Sequence, residues 1–296
     1  MRIFAGSTTA ATMRAMDSKY PPVSLSVSIV LFNSDVERFV QTVRSLVSAV
    51  TCAEQAGILK YASLVVVDNS ADPEYAKAAS KALADITQDA GSIDSNYVVA
   101  AGNTGYGGGH NLAASDINSD LHLVLNPDVD LSEHALVSGI EELRDPAVAL
   151  AAPRVTGENG TSEYLCRRYP SVLVLLLRAF APGLIQRQFD ERLARYEMRD
   201  VCSGSERADV ELASGCFMLL RTEALKAVNG FDERYFLYFE DYDLSMRLAG
   251  QGVLRFQPEM RIVHHGGYAA GKGWRHIWLF VRSGCRFFGQ YGWQWI

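Results

Sequence analysis

The chain has 296 residues, enough for one large α/β domain or two small ones. Hydrophobic residues make up 48% and charged residues 21%, the balance of an ordinary globular protein. A net charge of −6 excludes a general nucleic-acid binder, because no overall positive field exists to hold phosphates. The five cysteines (Cys52, Cys166, Cys202, Cys216 and Cys285) include no CxxC pair, which fits a reducing compartment and neither a disulfide framework nor a zinc site.

Residues 1–22 read as a disordered tail and not as a secretory leader, since Ala5–Ala15 is rich in Ser, Thr and Ala and holds no apolar run. Ser24–Phe32 follows two prolines and predicts the first strand. A helix over Asp35–Val50 places Val36, Phe39, Val40, Val43, Leu46, Val47 and Val50 on one stripe. Leu64–Val67 is a short apolar strand, Pro73–Leu83 a helix, Tyr97–Ala101 a strand, and Gly107–Ala114 the opening of another helix. Leu121–Leu125 is a strand, and Ser132–Leu143 a helix capped by Ser132. Four strands alternating with helices imply parallel crossovers and a doubly wound sheet. Ligands of such sheets sit beyond the carboxyl ends of the strands, where Asn33, Asp68, Asn103, Asp128 and Asp130 gather.

The second half is less regular. Ala147–Ala152 predicts a strand, and Leu165–Arg207 a long loop or a helical insertion. Val172–Leu177, the longest wholly apolar run, is far short of the ~20 residues that cross a bilayer, so a soluble or peripheral protein is expected. Glu211–Leu220 reads as a strand through a glycine, Thr222–Val228 as a helix stopped by Asn229-Gly230, and Tyr238–Ala249 as a helix opening on Glu240 and Asp241.

Chemistry concentrates in a few motifs. Asp128 and Asp130, one residue apart on extended chain, project to the same side and offer oxygen ligands to a hard divalent cation. A solvated turn at Pro127-Asp128 is the alternative. Glu240 and Asp241 follow an aromatic run, where like charge and partial burial tune a general base. Acids in a first helical turn also simply favour the dipole. The run from Gly102 to Asn111 lets backbone approach a ligand, but its glycines do not space as a dinucleotide fingerprint. His264-His265, after the strand-like Arg261–Val263, offers an imidazole to a metal.

Taken together and in order, these blocks resemble family 2 glycosyltransferases with the type A fold. The matching stretches are Val27–Asn33, Val65–Ser70, Asn103–Asn111, Leu125–Asp130, Ala213–Met218, Gly230–Glu233, Phe239–Asp243 and His264, which together span most of the chain. The branch most similar is that of bacterial rhamnosyltransferases building cell-surface polysaccharides such as O-antigen.

The resemblance implies an α/β fold with a Rossmann-like, mostly parallel sheet, helices on both faces and a C-terminal amphipathic helical segment. It implies a catalytic domain over 23–267, and the residues beyond read as an aromatic and basic tail over 268–296. Asp241 matches the catalytic base and Glu240 its neighbour. Asp68 matches the position that recognises the nucleotide base, and Phe32, Asn33, Asn103, Gly105, Asn111, Asn126 and Asp128 lie in blocks lining the nucleotide-sugar pocket. Asp130 matches the last aspartate of the metal motif beside Asp128. His264 is the better match to the C-terminal metal or diphosphate contact, and His265 is the fallback. A Mg²⁺ or Mn²⁺ cofactor, inversion at the sugar and a nucleotide-sugar donor, dTDP-rhamnose by branch, follow from the same resemblance. Rival readings of the same residues are a sugar nucleotidyltransferase and a non-catalytic nucleotide-sugar-binding module.

After Glu259 no acidic residue remains, while Arg261, Lys272, Arg275, Arg282 and Arg286 are interleaved with four tryptophans and other aromatics. A helix over Trp274–Gln290 of this composition suits a membrane interface. It points to a polyprenyl-diphosphate-linked glycan acceptor on the inner face of the cell membrane, with the protein cytoplasmic and peripheral. Packing into the core or against a second copy, as a homodimer, is the alternative for the same helix.

Overall fold

The computed structural model describes residues 20–266 and 273–296. Of the tail expected over 1–22, residues 1–19 lie outside the described residues, as do Gly267 and Lys272. The elements in chain order are β1 (Val23–Leu31), α1 (Val36–Gln55), β2 (Leu59–Asp68), α2 (Pro73–Ala90), β3 (Asp94–Val99), α3 (Gly105–Ala113), β4 (Leu121–Leu125), β5 (Val129–Leu131), α4 (Ala135–Glu142), β6 (Val148–Gly157) and β7 (Ser162–Glu163). Then follow α5 (Val172–Phe180), α6 (Gly183–Gln188), α7 (Asp190–Tyr196), α8 (Arg199–Cys202), β8 (Ala208–Asp209), β9 (Phe217–Arg221), α9 (Thr222–Ala227), α10 (Glu240–Leu248), β10 (Val253–His264) and α11 (Trp274–Tyr291).

One sheet carries everything, in the order β3-β2-β1-β4-β9-β6-β10-β5, with β7 on β6 and β8 on β10. The first four strands pair in parallel, as the alternation of strands and helices requires. The order reverses beside β1, which has β2 on one side and β4 on the other. The crevice for a ligand therefore opens at Phe32, Asp68 and Asn126. β9 then inserts antiparallel between β4 and β6, and β5 antiparallel against the end of β10.

Local chemistry explains most boundaries. Asp35 caps α1, accepting from Arg38 N at 2.9 Å, and Asp72 caps α2 ahead of Pro73. Ser171 caps α5 by accepting from Val174 N at 3.2 Å. The buried face of α1 (Phe39, Val43, Leu46 and Val50) packs on the inner residues of β1 and β2 in one core.

Several elements run longer than expected: α1 to Gln55, β2 from Leu59, α2 to Ala90 and β6 to Gly157. Two starts also depart from expectation. Ser132 is not the cap of α4: the helix starts at Ala135, and Ser132 contributes only its carbonyl, to Ala135 N. β9 begins at Phe217 and not at Glu211, because the chain turns at Gly215 and only Leu212 bridges to Arg167. The stretch 165–207 is the helical insertion, α5 to α8.

α11 packs along the body. Its inner residues Phe287 and Phe288 are buried with Phe239 and Tyr235. Asp243 of α10, wholly buried, accepts from Tyr291 Oη at 2.8 Å and pairs with Arg247 at 2.6 Å, which ties the helices together. Beyond α11 the chain returns to the insertion: the carbonyls of Gln294 and Trp295 accept from Val172 N and Leu173 N.

Candidate active site

The residues from Tyr238 to Asp243 are built under strain. Tyr238 and Phe239 both take left-handed backbone, φ +70° and +65°, a region that side chains with a Cβ rarely adopt. Each such residue costs about 1–3 kcal/mol. Burial of the Phe239 ring among Phe280, Phe287 and Phe288 holds the conformation in place. The consequence is that Glu240 and Asp241 open α10 facing a cavity of about 460 Å³, walled by Leu175 and Arg178 of α5, Tyr196 of α7, and His276 and Phe280 of α11.

The two carboxyls are not equivalent. Burial, then the charge of Asp241, pushes Glu240 well above the usual carboxylate range, and its Oε2 has no hydrogen-bond partner. Burial also raises Asp241, but Gly215 N donates to its Oδ2 at 3.0 Å and Tyr242 N to its Oδ1 at 2.9 Å. These bonds and the nearby Arg167 guanidinium favour its anion. Both carboxyls are raised, Glu240 the further, so Asp241 is the member of the pair that ionises first. Gly215, where the expected long strand breaks, supplies one of the stabilising N–H groups.

A second cavity of about 600 Å³ lies at the switch point of the sheet. Phe32, Asn103, Gly105, Asn126 and Asp128 line it, together with Asn69, Tyr106, Phe236, Trp274 and Arg275. Gly273 and His276 border both cavities, so the first turn of α11 stands between them.

Three residues expected in this pocket do not line it. Asn111 clamps α3 to the turn after α9, donating to Phe231 O and Glu233 Oε1 and accepting from Phe231 N. Asn33, at φ +49°, points its N–H at Ser70 Oγ, 2.8 Å away. Asp68 is wholly buried, with one oxygen accepting from Ser70 N and the other from Tyr97 Oη, both at 2.8 Å. Burial and this carboxylate drive the Tyr97 phenol above its ordinary range.

The glycine run also serves packing more than ligand approach. A Cβ at Gly107 would meet Phe231 at 2.8 Å, and one at Gly109 would meet Val30 at 2.7 Å. Only Gly105, at φ +79° against the Phe236 carbonyl, needs glycine for its backbone and also lines the pocket.

Asp128, Asp130 and the two histidines meet where β5 pairs with β10, but as two separate couples. Arg38 Nη1 donates to His265 Nδ1 at 3.1 Å, which leaves Nε2–H to donate to Asp130 Oδ2 at 2.8 Å. His264 Nδ1–H donates to Glu163 Oε2 at 3.0 Å, so its Nε2 carries the free lone pair. That lone pair faces Asp128 Oδ1 at 3.7 Å, and this oxygen is buried without a partner. The expected single set of Asp128, Asp130 and His264 is thus divided, with Asp130 drawn to His265. Among the described residues no three His, Cys, Asp or Glu side chains converge as a metal cage. An imidazole lone pair beside an orphaned carboxylate oxygen still suits a divalent cation, which commonly takes one or two protein ligands and completes its shell with phosphate oxygens. Glu163, which no motif in the sequence marked, fixes the tautomer.

A mostly parallel α/β sheet with its crevice at the switch point and an acidic pair across the mouth is the type A glycosyltransferase fold. A mannosyltransferase from Pyrobaculum calidifontis, solved with GDP-Man and Mn²⁺, superposes with a TM-score of 0.59 at 14% identity, covering 92% of this chain and 65% of that one. Among curated proteins, the chain is 28% identical over 178 residues to the rhamnosyltransferase WbbL of Escherichia coli, covering 56% of this chain and 63% of the relative. It is 26% identical over 220 residues to the N-acetylglucosaminyl-diphospho-decaprenol L-rhamnosyltransferase of Mycobacterium tuberculosis, covering 74% of this chain and 64% of the relative. The chain is rhamnosyltransferase-like and resembles family 2 glycosyltransferases. It spans less than two thirds of the length of these two curated relatives. No protein-family model matches it.

Proposed function

We propose that the chain is an inverting glycosyltransferase that moves a hexose from a nucleotide diphosphate sugar to a hydroxyl of a lipid-linked or polysaccharide acceptor. One observation carries the reading: Asp241, held by Gly215 N and Tyr242 N beside the unpartnered Glu240 Oε2, faces a cavity that meets, at His276 and Gly273, the switch-point cavity bordered by Asp128. The names of the two curated relatives support rhamnose as the sugar, that of the mycobacterial one L-rhamnose, and dTDP-rhamnose is the donor we assign.

In this reading the donor lies in the larger cavity. Phe32, Asn103, Gly105 and Asn126 line its path, and Asp68 and Asn33 shape its nucleobase end. Asp128 and His264 would hold a Mg²⁺ or Mn²⁺ ion, with Asp130 and His265 alongside, and the ion would offset charge on the leaving diphosphate. The acceptor hydroxyl enters the smaller cavity. Asp241 takes its proton as the oxygen attacks the anomeric carbon, and the nucleotide diphosphate leaves. The hydrogen bonds from Gly215 and Tyr242 keep Asp241 aimed and anionic. An ionised Glu240 would raise Asp241 further and favour its protonation before the acceptor arrives, so a protonated Glu240 keeps Asp241 available as the base.

Among the described residues no helix is long and apolar enough to cross a membrane. The exposed Trp274, Ile277 and Trp278 of α11, with Arg275 and Arg282, support a peripheral seat on the inner face of the cell membrane and a polyprenyl-diphosphate-linked acceptor.

The test is a donor panel. Purified protein with Mn²⁺ or Mg²⁺ is given dTDP-, UDP- and GDP-sugars, and nucleotide diphosphate release is followed with and without a lipid-linked acceptor. Release from dTDP-rhamnose is expected. Turnover of UDP-sugars with dTDP-rhamnose ignored would remove the donor assignment, and binding of no donor would remove the transferase reading.

A further inference from the structure

The insertion α5 to α8 has no part in the donor cavity, yet it builds one wall of the other. Leu175, Arg178 and Ala179 face that cavity, while the neighbouring Leu176 and, one turn beyond the helix, Leu184 and Ile185 are exposed, Leu184 to 76%. α6 is held back against α5 by Gln186, whose Nε2 donates to Leu177 O and Ala181 O at 3.2 and 3.1 Å. The opposite wall repeats the arrangement. Ile277 of α11 lines the cavity and is itself 48% exposed, with Trp274 (75%) and Trp278 (53%) on the same outward side. Two separate elements that wall one cavity thus each present large exposed apolar side chains, with Arg282 lying over the Trp278 ring.

Charge singles out the same two elements. In a chain of net charge −6, residues 172–188 hold Arg178 and Arg187 and no acid, and residues 273–296 hold Arg275, Arg282 and Arg286 and no acid. Arg178 pairs with Glu197 inside the insertion at 3.4 Å, which leaves Arg187, Arg275, Arg282 and Arg286 to carry the charge. Apolar side chains set among such arginines suit an anionic lipid surface, into which leucine and tryptophan insert while guanidinium groups stay at headgroup level.

We infer that the α5–α6 turn is a second membrane-contacting lip, paired with α11 across the mouth of the Asp241 cavity, so that an acceptor embedded in the bilayer enters between them. The occupant of both lips is a membrane carrying anionic lipid. This rests on the acceptor being lipid-linked, as proposed above. It gives the insertion its role: α11 alone would dock the protein at one edge, whereas two lips point the cavity mouth into the membrane.

The experiment uses the full chain with vesicles of phosphatidylcholine alone or mixed with phosphatidylglycerol, by flotation at low salt. The variant is Leu184→Glu/Ile185→Glu, whose side chains line neither cavity. The wild type is expected to float with the anionic vesicles and not with the neutral ones, and the variant to bind at least tenfold more weakly. Donor hydrolysis without acceptor is expected unchanged, which confirms that the variant folds. Transfer to an acceptor held in vesicles is expected to fall, and transfer to a detergent-solubilised short-chain acceptor to hold. Equal vesicle binding by variant and wild type would overturn the inference, and so would a wild type that ignores anionic vesicles. A dimer by light scattering that the variant converts to monomer would reassign the surface to self-association and also overturn it. If no donor turns over in any arm, the transferase reading fails, while flotation still decides whether the lips meet lipid.

Discussion

The two cavities differ in how they are made. The donor cavity lies at the carboxyl ends of consecutive parallel strands, where short polar segments deliver Phe32, Asn103, Asn126 and Asp128, and α11 with Phe236 closes only its outer side. The Asp241 cavity is assembled from α5, α7, α10 and α11, which are far apart in sequence and meet through aromatic packing and the Asp243–Tyr291 bond. One site is a property of the topology; the other depends on tertiary contacts that bring a tail and an insertion together. Perturbations should therefore separate them.

The largest separation is expected from Asp241→Asn, which should lower kcat by roughly 10²–10⁴-fold while donor affinity stays at the wild-type value. Initial rates and donor titration check it. Because burial raises the pKa of Asp241, the acidic limb of kcat/KM should lie above the ordinary carboxylate range, with activity lost as pH falls through it. Next comes Phe287→Ala, which empties the aromatic cluster and should destabilise the fold by about 3–5 kcal/mol. Urea unfolding measures this, and a surviving fold should lose transfer before it loses donor binding.

The sheet itself carries a pH signature. Burial lowers His122 from 6.5 to about 4, and His110, with which it shares Ser28, is also lowered. Both are held neutral, so stability is full above pH 6.5 and declines as pH falls from there toward about 4, by about 3 kcal/mol for His122. The stability difference between wild type and His122→Asn should shrink over that interval. A constant difference would mean that the imidazole is not the titrating group. The smallest effect is expected at Glu163→Gln, which frees the His264 tautomer and should weaken Mn²⁺ binding about 10–100-fold, read from the free-ion EPR signal.

The same contrast governs what could be read from the sequence. The strand and helix alternation from β1 to β4 was legible because apolar periodicity and caps such as Asp35 act locally. Glu240 and Asp241 were legible as an acidic pair in a helical first turn. Nothing local announced Glu163 in a two-residue strand, or Arg178 and His276 as walls of the cavity beside them, because their roles arise only from packing. Asn111 and the glycines at 107 and 109 show a related limit: polar and small residues at a strand–helix turn suit a ligand or a close helix contact equally, and in the structure they contact Phe231 and Val30. The Asp128–Asp130 pair illustrates a subtler limit. Alternation on extended chain put both carboxylates on one side, yet the end of β10 and the residue after it supply a different histidine to each.

The central claim is that Asp241 works on the acceptor and Asp128 on the donor. The direct measurement compares Asp241→Asn with Asp128→Asn under Mn²⁺, scoring donor binding by calorimetry and sugar transfer by nucleotide diphosphate release. The account predicts that Asp241→Asn binds donor normally and does not transfer, while Asp128→Asn loses donor binding. Equal loss of donor binding in both, or transfer retained in Asp241→Asn, would contradict it.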